Sequence, residues 1–370
     1  MKKTFLAVAV IAVLLLCGVS AYAIQGLDES ESTVILANDG YATLTSSAVG
    51  GTITTPVSAL QPIANGTKPG VHITDTRAVF SMDSAFVKSL LGNVSGSQLT
   101  FQFGYNSSKT AVTFLIKDGS KTVFGSNGRC VGEIPYSSTS ATAMNCFVLD
   151  SMGDPVVESA FYPDAKLVRW QLKECGTYIV NEKNVTFKDV SSHWGRTYVD
   201  FLASRGGASG TSATTFSPNG TLTRAEFVMF LAYLSMDDIS KCESSNFTDV
   251  PKSAWYYHAV SWAVKNNITQ GVTAKTFSPN AKITREQMAR MTVLLLDHMG
   301  VQKKPICTTV NFKDAAAISS WAKDTVAVCQ QLGIISGYPN GNFGPRDNAA
   351  RAEAATVCSR IVSYALILPQ

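Results

Sequence analysis

The feature that most constrains this chain is a pattern that occurs three times in its C-terminal half. Each copy has a tryptophan, a glycine sixteen residues later, a Phe-x-Pro that starts six residues after the glycine, and an arginine thirty residues after the tryptophan. A Phe-x-Asp precedes each tryptophan. Chance does not keep five landmarks in register three times, so these segments are internal repeats.

Each repeat predicts two helices joined by a loop. Apolar residues recur at helical spacing after the tryptophan, and the glycine and Phe-x-Pro predict a turn, because glycine tolerates positive φ and proline restricts the residue before it. The segments from Thr223 to Glu226 and from Thr284 to Gln287 have the form of capping boxes. Ala350 takes the threonine position in the third repeat, so we expect a weaker helix start there.

The recurring arginine stands at the first helical position, where the positive end of the helix dipole disfavours a cation. Its presence in all three repeats indicates a specific requirement, and two hypotheses fit the spacing. In one, the guanidinium and free backbone N–H groups form a receptor for a carboxylate or phosphate. In the other, each arginine pairs with the aspartate of a Phe-x-Asp and serves only the scaffold.

The recurring tryptophans also allow two interpretations. An aromatic side chain at a helix start, on the apolar stripe, most often belongs to the core. A half-buried tryptophan beside an anion receptor can instead present part of its ring to a sugar. The spacing favours a core position with one edge left for binding.

With these landmarks, the C-terminal half resembles three tandem S-layer homology domains, at residues 185–236, 245–300 and 310–366. The resemblance implies an all-α pseudo-threefold bundle of helix-loop-helix repeats with grooves between neighbours. In this family such grooves bind secondary cell-wall polysaccharide, typically through a pyruvylated amino sugar. That polysaccharide and neighbouring S-layer subunits are therefore the partners that the resemblance implies.

Carried over residue by residue, the resemblance also gives each recurring residue a role. The arginines would receive the carboxylate of the pyruvyl ketal, the tryptophans would line the sugar, the glycines would let the backbone approach it, and the aspartates would brace each groove. The expected site residues are Arg224, Arg285, Arg351, Trp194, Trp255, Trp321, Gly210, Gly271, Gly337, Asp189, Asp249 and Asp314.

The net charge disfavours nucleic acid as a partner, and the N-terminal residues indicate export. The chain has 370 residues and a net charge of +4, too small for the basic field that holds nucleic acid. Lys2 and Lys3 precede an apolar run and then Ala21-Tyr22-Ala23, which is typical of a secretory signal peptide over residues 1–23. No other apolar run reaches transmembrane length, and the C-terminal residues carry no signal for covalent wall attachment. We therefore expect an exported protein that is held to the wall non-covalently.

Residues 24–181 have a different texture, with short β-rich runs separated by Gly, Ser, Asn and Asp. The runs predict an all-β region of one or two antiparallel sandwiches, with a tight turn at Asp118-Gly119 and one short helix over residues 84–91. The four histidines share no metal-ligand spacing, and the sequence has no nucleophile elbow, P-loop or calcium loop. We therefore expect no metal, cofactor or catalytic residue here.

Two functions follow from these observations. The leading hypothesis is a non-enzymatic protein of the cell wall or S-layer, anchored to the wall by its three repeats. The alternative is a wall-anchored enzyme, adhesin or ligand-binding protein whose activity lies in residues 24–181.

Overall fold

The computed structural model describes residues 33–34, 40–243, 246–301, 303 and 311–366. The predicted signal peptide lies outside these residues. The chain divides into two compact units: a β-rich unit that ends at Asn181 and a helical unit that begins at Glu182 and includes the short segment Ala143–Cys146. Within the described ranges, every helix is too short or too polar to cross a membrane.

Strands dominate the N-terminal unit, because its short runs of β-branched and aromatic residues are bounded by turn residues. The strands are β1 (Thr33–Val34), β2 (Ala42–Thr45), β3 (Thr52–Pro56), β4 (Gly70–Thr74), β5 (Val79–Asp83), β6 (Gln98–Tyr105), β7 (Ala111–Asp118), β8 (Lys121–Thr122), β9 (Cys130–Pro135), β10 (Cys146–Leu149), β11 (Pro155–Val156), β12 (Ser159–Tyr162), β13 (Leu167–Gln171) and β14 (Gly176–Glu182). Among the described residues, one sheet has the order β1-β2-β4-β5-β9-β13-β12. The other has the order β11-β10-β14-β7-β6-β3, with β8 paired to β7.

Aromatic side chains from both sheets fill the space between them. The ring of Phe80 on β5 stacks on the ring of Phe114 on β7, with 3.8 Å between the ring centroids, and also meets the edge of Trp170 on β13. Trp170 contacts Tyr178 of β14. All four side chains are buried, so the two sheets form a sandwich around a close-packed core.

Two features of this unit differ from the predicted antiparallel sandwich with one helix. Helix α1 (Val57–Ala64) was not predicted, whereas α2 (Ser84–Leu91) covers the predicted range. Strand β2 pairs with β4 in parallel. The chain leaves the first sheet for β3 and α1 before it returns in β4, and a connection of that length permits parallel pairing.

The helical unit contains the predicted pairs of helices. They are α3 (Arg196–Ser204), α4 (Arg224–Ser235), α5 (Tyr257–Lys265), α6 (Arg285–His298), α7 (Lys323–Gln331) and α8 (Arg351–Ala365). Both predicted capping boxes form, at Thr223 and at Thr284. At Ala350 only half of the box remains, because alanine has no acceptor, while the Glu353 carboxylate accepts the Ala350 N–H at 2.8 Å.

The three repeats contact one another in a closed order. The second helix of each repeat packs on the first helix of the next, α4 on α5, α6 on α7 and α8 on α3. The backbone N–H of Ile283 donates to the oxygen of Leu222, that of Ala349 to Ile283, and that of Leu222 to Ala349. The third repeat therefore contacts the first directly.

The cysteines among the described residues are free thiols. Cys329 on α7 and Cys358 on α8 are fully buried, and burial raises the pKa of both thiols. Because the thiolate is the reactive and metal-binding form, these two residues act as small core side chains.

Candidate binding grooves

The three recurring arginines join neighbouring repeats. Each donates through Nε to the carbonyl oxygen of the phenylalanine in the next repeat's Phe-x-Pro. Through Nη2, each donates to the carbonyl oxygen just before that repeat's glycine. The pairs are Arg224 with Phe277 and Gln270 (3.0 and 3.1 Å), Arg285 with Phe343 and Ser336 (2.7 and 2.9 Å), and Arg351 with Phe216 and Ser209 (2.9 and 2.9 Å). The third arginine closes the order by contacting the first repeat.

The first two backbone N–H groups of each of these helices already have partners. The N–H of Arg224 donates to the oxygen of Ala281, and the N–H of Ala225 donates to the oxygen of Pro279. Helices α6 and α8 make equivalent pairs with the repeats that follow them. The first two N–H groups of each helix are therefore not free to bind an anion. Carbonyl oxygens of the neighbouring repeat accept hydrogen bonds from each arginine and offset the unfavourable helix dipole.

The recurring aspartates do not pair with the arginines. Asp189 accepts the backbone N–H groups of Phe216 and Ser217 at 2.8 and 2.7 Å, and Asp249 and Asp314 make the same two bonds in their own repeats. Each aspartate thus ties its Phe-x-Asp to the Phe-x-Pro of the same repeat. Burial acts to raise the pKa of Asp189 and of Asp314, but the backbone donors outweigh it and lower both pKa values.

These lowered pKa values predict acid sensitivity of the helical unit. Because the folded-state pKa lies below the ordinary value of 3.8, the stability that Asp189 and Asp314 add is present above that value and is lost as the pH falls through the folded pKa. We expect the melting temperature, followed by circular dichroism, to fall as the pH drops below the ordinary value of 3.8. The double variant Asp189→Asn, Asp314→Asn should melt lower at neutral pH and show a shallower pH slope. Equal slopes for the two proteins would contradict this account.

The recurring glycines are required by packing within their own repeats. A Cβ atom on Gly271 would lie 2.3 Å from the oxygen of Thr273 and 2.5 Å from Cε1 of Phe247, and Gly210 and Gly337 are similarly crowded. None of the three has positive φ. The left-handed residue is the middle one of each Phe-x-Pro, with φ values of 59° at Ser217, 59° at Ser278 and 68° at Gly344. The prediction that the central glycine supplies positive φ was therefore wrong.

The recurring tryptophans lie at the surface. Trp194, Trp255 and Trp321 are 61%, 63% and 45% exposed, so the expectation of a core position was wrong. Each stands two residues before its helix begins, so it is not part of the apolar face of that helix. Much of each ring is therefore accessible to a ligand.

One groove between repeats encloses a cavity of about 550 Å³. Its lining includes Trp194 from the first repeat, Arg285 from the second, and Gly337, Tyr338, Glu353 and Arg360 from the third. The groove therefore brings together members of three recurring sets that the sequence places far apart. Sequence reasoning missed Tyr338 and Arg360, since neither recurs in the other repeats.

The third residue of α4, α6 and α8 determines whether the recurring arginine of the preceding repeat has a carboxylate nearby. Glu353 accepts a hydrogen bond from Nη1 of Arg285. The guanidinium of Arg285 also lies over the rings of Tyr338 and Phe343. Glu226 lies 3.9 Å from Nη1 of Arg351. At this position the second repeat has Gln287, so the contact to Arg224 has no carboxylate there. The three grooves thus share a backbone design but differ in charge.

In the described part of the chain, no group of three or more His, Cys, Asp or Glu side chains is arranged to hold a metal ion. The polar groups that line the cavity are instead hydrogen-bond donors and acceptors beside flat aromatic rings. Such a lining suits a hydroxyl-rich ligand that carries an anionic group.

Residues 186–228, 246–289 and 311–355 each match the family model of the S-layer homology domain. The chain therefore contains three tandem S-layer homology domains after its β-rich unit. These domains, and relatives among S-layer proteins, indicate a location at the cell surface.

Relatives share the C-terminal half with this chain. An amylopullulanase of Thermoanaerobacterium thermosulfurigenes is 37% identical over 49% of this chain and 10% of its own length. An S-layer protein of Bacillus thuringiensis subsp. finitimus is 30% identical over 46% and 20%, and a cellulosome-anchoring protein of Acetivibrio thermocellus is 30% identical over 39% and 33%. The chain thus spans a tenth to a third of the length of these relatives.

Proposed function

We propose that this protein is anchored non-covalently to the bacterial cell wall, and that its S-layer homology domains bind cell-wall polysaccharide in the grooves between repeats. One observation carries the proposal: the exposed ring of Trp194 and the guanidinium of Arg285 line the same cavity. A flat apolar ring can pack against the C–H face of a sugar, while the polar groups beside it can bind hydroxyl and acidic groups.

The helical unit is proposed to be a pseudo-threefold bundle with three related grooves. The closed order of helix contacts and the three arginine bridges support this arrangement. Repeat boundaries at residues 185–236, 245–300 and 310–366 remain part of the proposal. Three weak sites on one rigid unit would gain avidity wherever one polymer reaches more than one groove.

The polymer is proposed to carry acidic substituents, with a pyruvylated amino sugar as the recognised unit. Arginine is the residue of choice for a carboxylate, and the side chains of Arg285 and Arg360 both line the cavity. In this account the recurring arginines and glycines shape the grooves, the tryptophans contact sugar, and the aspartates brace the loops. Adjacent S-layer subunits are proposed as further partners at the cell surface.

The protein is proposed to be non-enzymatic, with the β-rich unit as the displayed part. The relatives named as glycosidases match only the S-layer homology region, and this chain covers a small fraction of each. Those names therefore bring no catalytic residue to residues 24–181.

Cosedimentation with purified cell walls tests the proposal. We expect the full chain to bind wall polysaccharide that carries pyruvyl groups and to bind poorly after mild acid removes them. Replacing Trp194, Trp255 and Trp321 together by alanine should weaken binding more than tenfold, since three sugar contacts of about 1 kcal/mol each are lost. The folded state should survive, because all three side chains are exposed.

Met152→Ala is the matched control, since Met152 is an exposed apolar side chain of the β-rich unit. It should bind like the original protein. No binding of the original protein to either polymer would refute wall anchoring, whereas equal binding to both would refute recognition of the pyruvyl group.

A further inference from the structure

We propose that Arg360 is the residue that receives the anionic group of a ligand in the cavity lined by Trp194 and Arg285, with Arg285 as a positioning residue. This inference rests on the proposed function, because the ligand in question is an acidic polysaccharide. The contact between Arg360 and the anionic group would give the groove its preference for the acidic polysaccharide over an uncharged one.

The guanidinium nitrogens of Arg285 already donate hydrogen bonds to protein groups. Its Nε and Nη2 donate to the carbonyl oxygens of Phe343 and Ser336, and its Nη1 donates to the carboxylate of Glu353. The residue is 3% exposed. A ligand carboxylate would have to displace Glu353, and separating this partly buried carboxylate from its cation is costly.

Arg360 lines the same cavity, but its guanidinium bonds to neutral groups. Its Nη1 donates to the oxygen of Ile334 at 3.3 Å and to Oγ of Ser336 at 3.1 Å, and its Nη2 lies 3.5 Å from the hydroxyl of Tyr198. All of these acceptors are neutral. Among the described residues, none of the ion pairs includes Arg360. Its positive charge is thus oriented but not compensated by a carboxylate.

Arg360 stands two helical turns after Glu353 on α8, and both line the cavity. Glu353 and Arg360 are seven residues apart, so they lie on the same helix face about 10 Å apart along the axis. Arg285 bonds to the carbonyl oxygen of Ser336 and Arg360 bonds to its hydroxyl, so the two guanidinium groups lie on either side of Ser336 in the cavity wall. Both line the cavity with Trp194. A sugar on the tryptophan could place its acidic group at Arg360 without disturbing the pair.

The other two repeats lack this cation. The residue nine positions after the recurring arginine is Tyr233 in the first repeat and Leu294 in the second. The hydroxyl of Tyr233 donates to the oxygen of Arg205 and so serves the fold. The three grooves are therefore not equivalent receptors, and the one that contains Arg360 is expected to discriminate most strongly between charged and uncharged polymer.

The test compares binding of the full chain to wall polysaccharide before and after mild acid removal of its pyruvyl groups. We expect Arg360→Gln to bind the intact polymer about tenfold more weakly, the loss expected for a charge-assisted hydrogen bond, and to bind the treated polymer as the original protein does. Arg196→Gln removes one charge from the same unit outside the cavity, and it should leave both affinities unchanged.

Arg360→Lys keeps the proposal testable if Arg360→Gln lowers the melting temperature. A lysine retains the charge, so the variant should keep most of the preference for the intact polymer. Unchanged binding of Arg360→Gln, or loss of the preference in Arg360→Lys, would overturn the role of Arg360 while leaving wall anchoring in place. Failure of the original protein to bind either polymer would instead overturn the proposed function itself.

Discussion

Replacing Arg285 by alanine is expected to lower the free energy of unfolding by about 3 kcal/mol, as for other broken buried ion pairs. The change removes hydrogen bonds to Phe343 and Ser336 and leaves Glu353, whose side chain is 16% exposed, without its cation. Urea unfolding of the full chain, followed by the helical circular dichroism signal, measures the loss.

Arg351→Ala is the matched control for this prediction. Arg351 makes the same two carbonyl bonds, but its carboxylate neighbour Glu226 is 3.9 Å away and 36% exposed. Its loss should therefore cost about 1 kcal/mol less, because an exposed carboxylate regains water. Equal losses for the two variants would mean that the Arg285–Glu353 pair adds no stability beyond the shared carbonyl bonds.

Replacing Gly271 by alanine is expected to destabilise the helical unit by about 3 kcal/mol, at the upper end of the usual cost of overpacking. The new methyl group would meet the backbone oxygen of Thr273 at 2.3 Å and Cε1 of Phe247 at 2.5 Å. A backbone oxygen cannot move aside as a flexible side chain can, so the loop itself must shift. Thermal unfolding of the full chain measures the effect.

Gly92→Ala provides the comparison, since Gly92 has right-handed φ and ψ and its nearest atom to a new Cβ lies at 3.4 Å. That variant should be as stable as the original protein or slightly more so. A Gly271→Ala protein that melts normally but fails to bind wall polymer would contradict the packing account and favour a direct role for this glycine in binding.

Local signals in the sequence predicted much of the helical unit. Helices α4, α6 and α8 start at Arg224, Arg285 and Arg351, the positions that the capping patterns indicate, because a cap acts within a few residues. In the β-rich unit the parallel pairing of β2 with β4 could not be predicted. Strand alternation identifies a strand and its buried face, but the partner of a strand depends on contacts between distant segments.

The candidate site was predicted less completely than the fold. The spacing of the tryptophans fits an apolar stripe and predicts a core position, yet α3 begins two residues after Trp194. Trp194 therefore precedes the helix, so helical spacing does not set the direction of its side chain. Arg360 escaped notice for another reason: comparing repeats highlights what they share, and Arg360 is a difference between them.

The closed order of the repeats has a consequence for how binding strength can change in such proteins. In an open array, appending a repeat adds a site, and removing one leaves a usable remainder. Here α8 packs on α3 and Arg351 contacts Ser209 and Phe216, so an added repeat would have no neighbour and a missing one would break two interfaces. The valency of the unit is therefore set by its geometry, and selection can adjust affinity only groove by groove, through substitutions such as glutamine at position 287 or arginine at position 360.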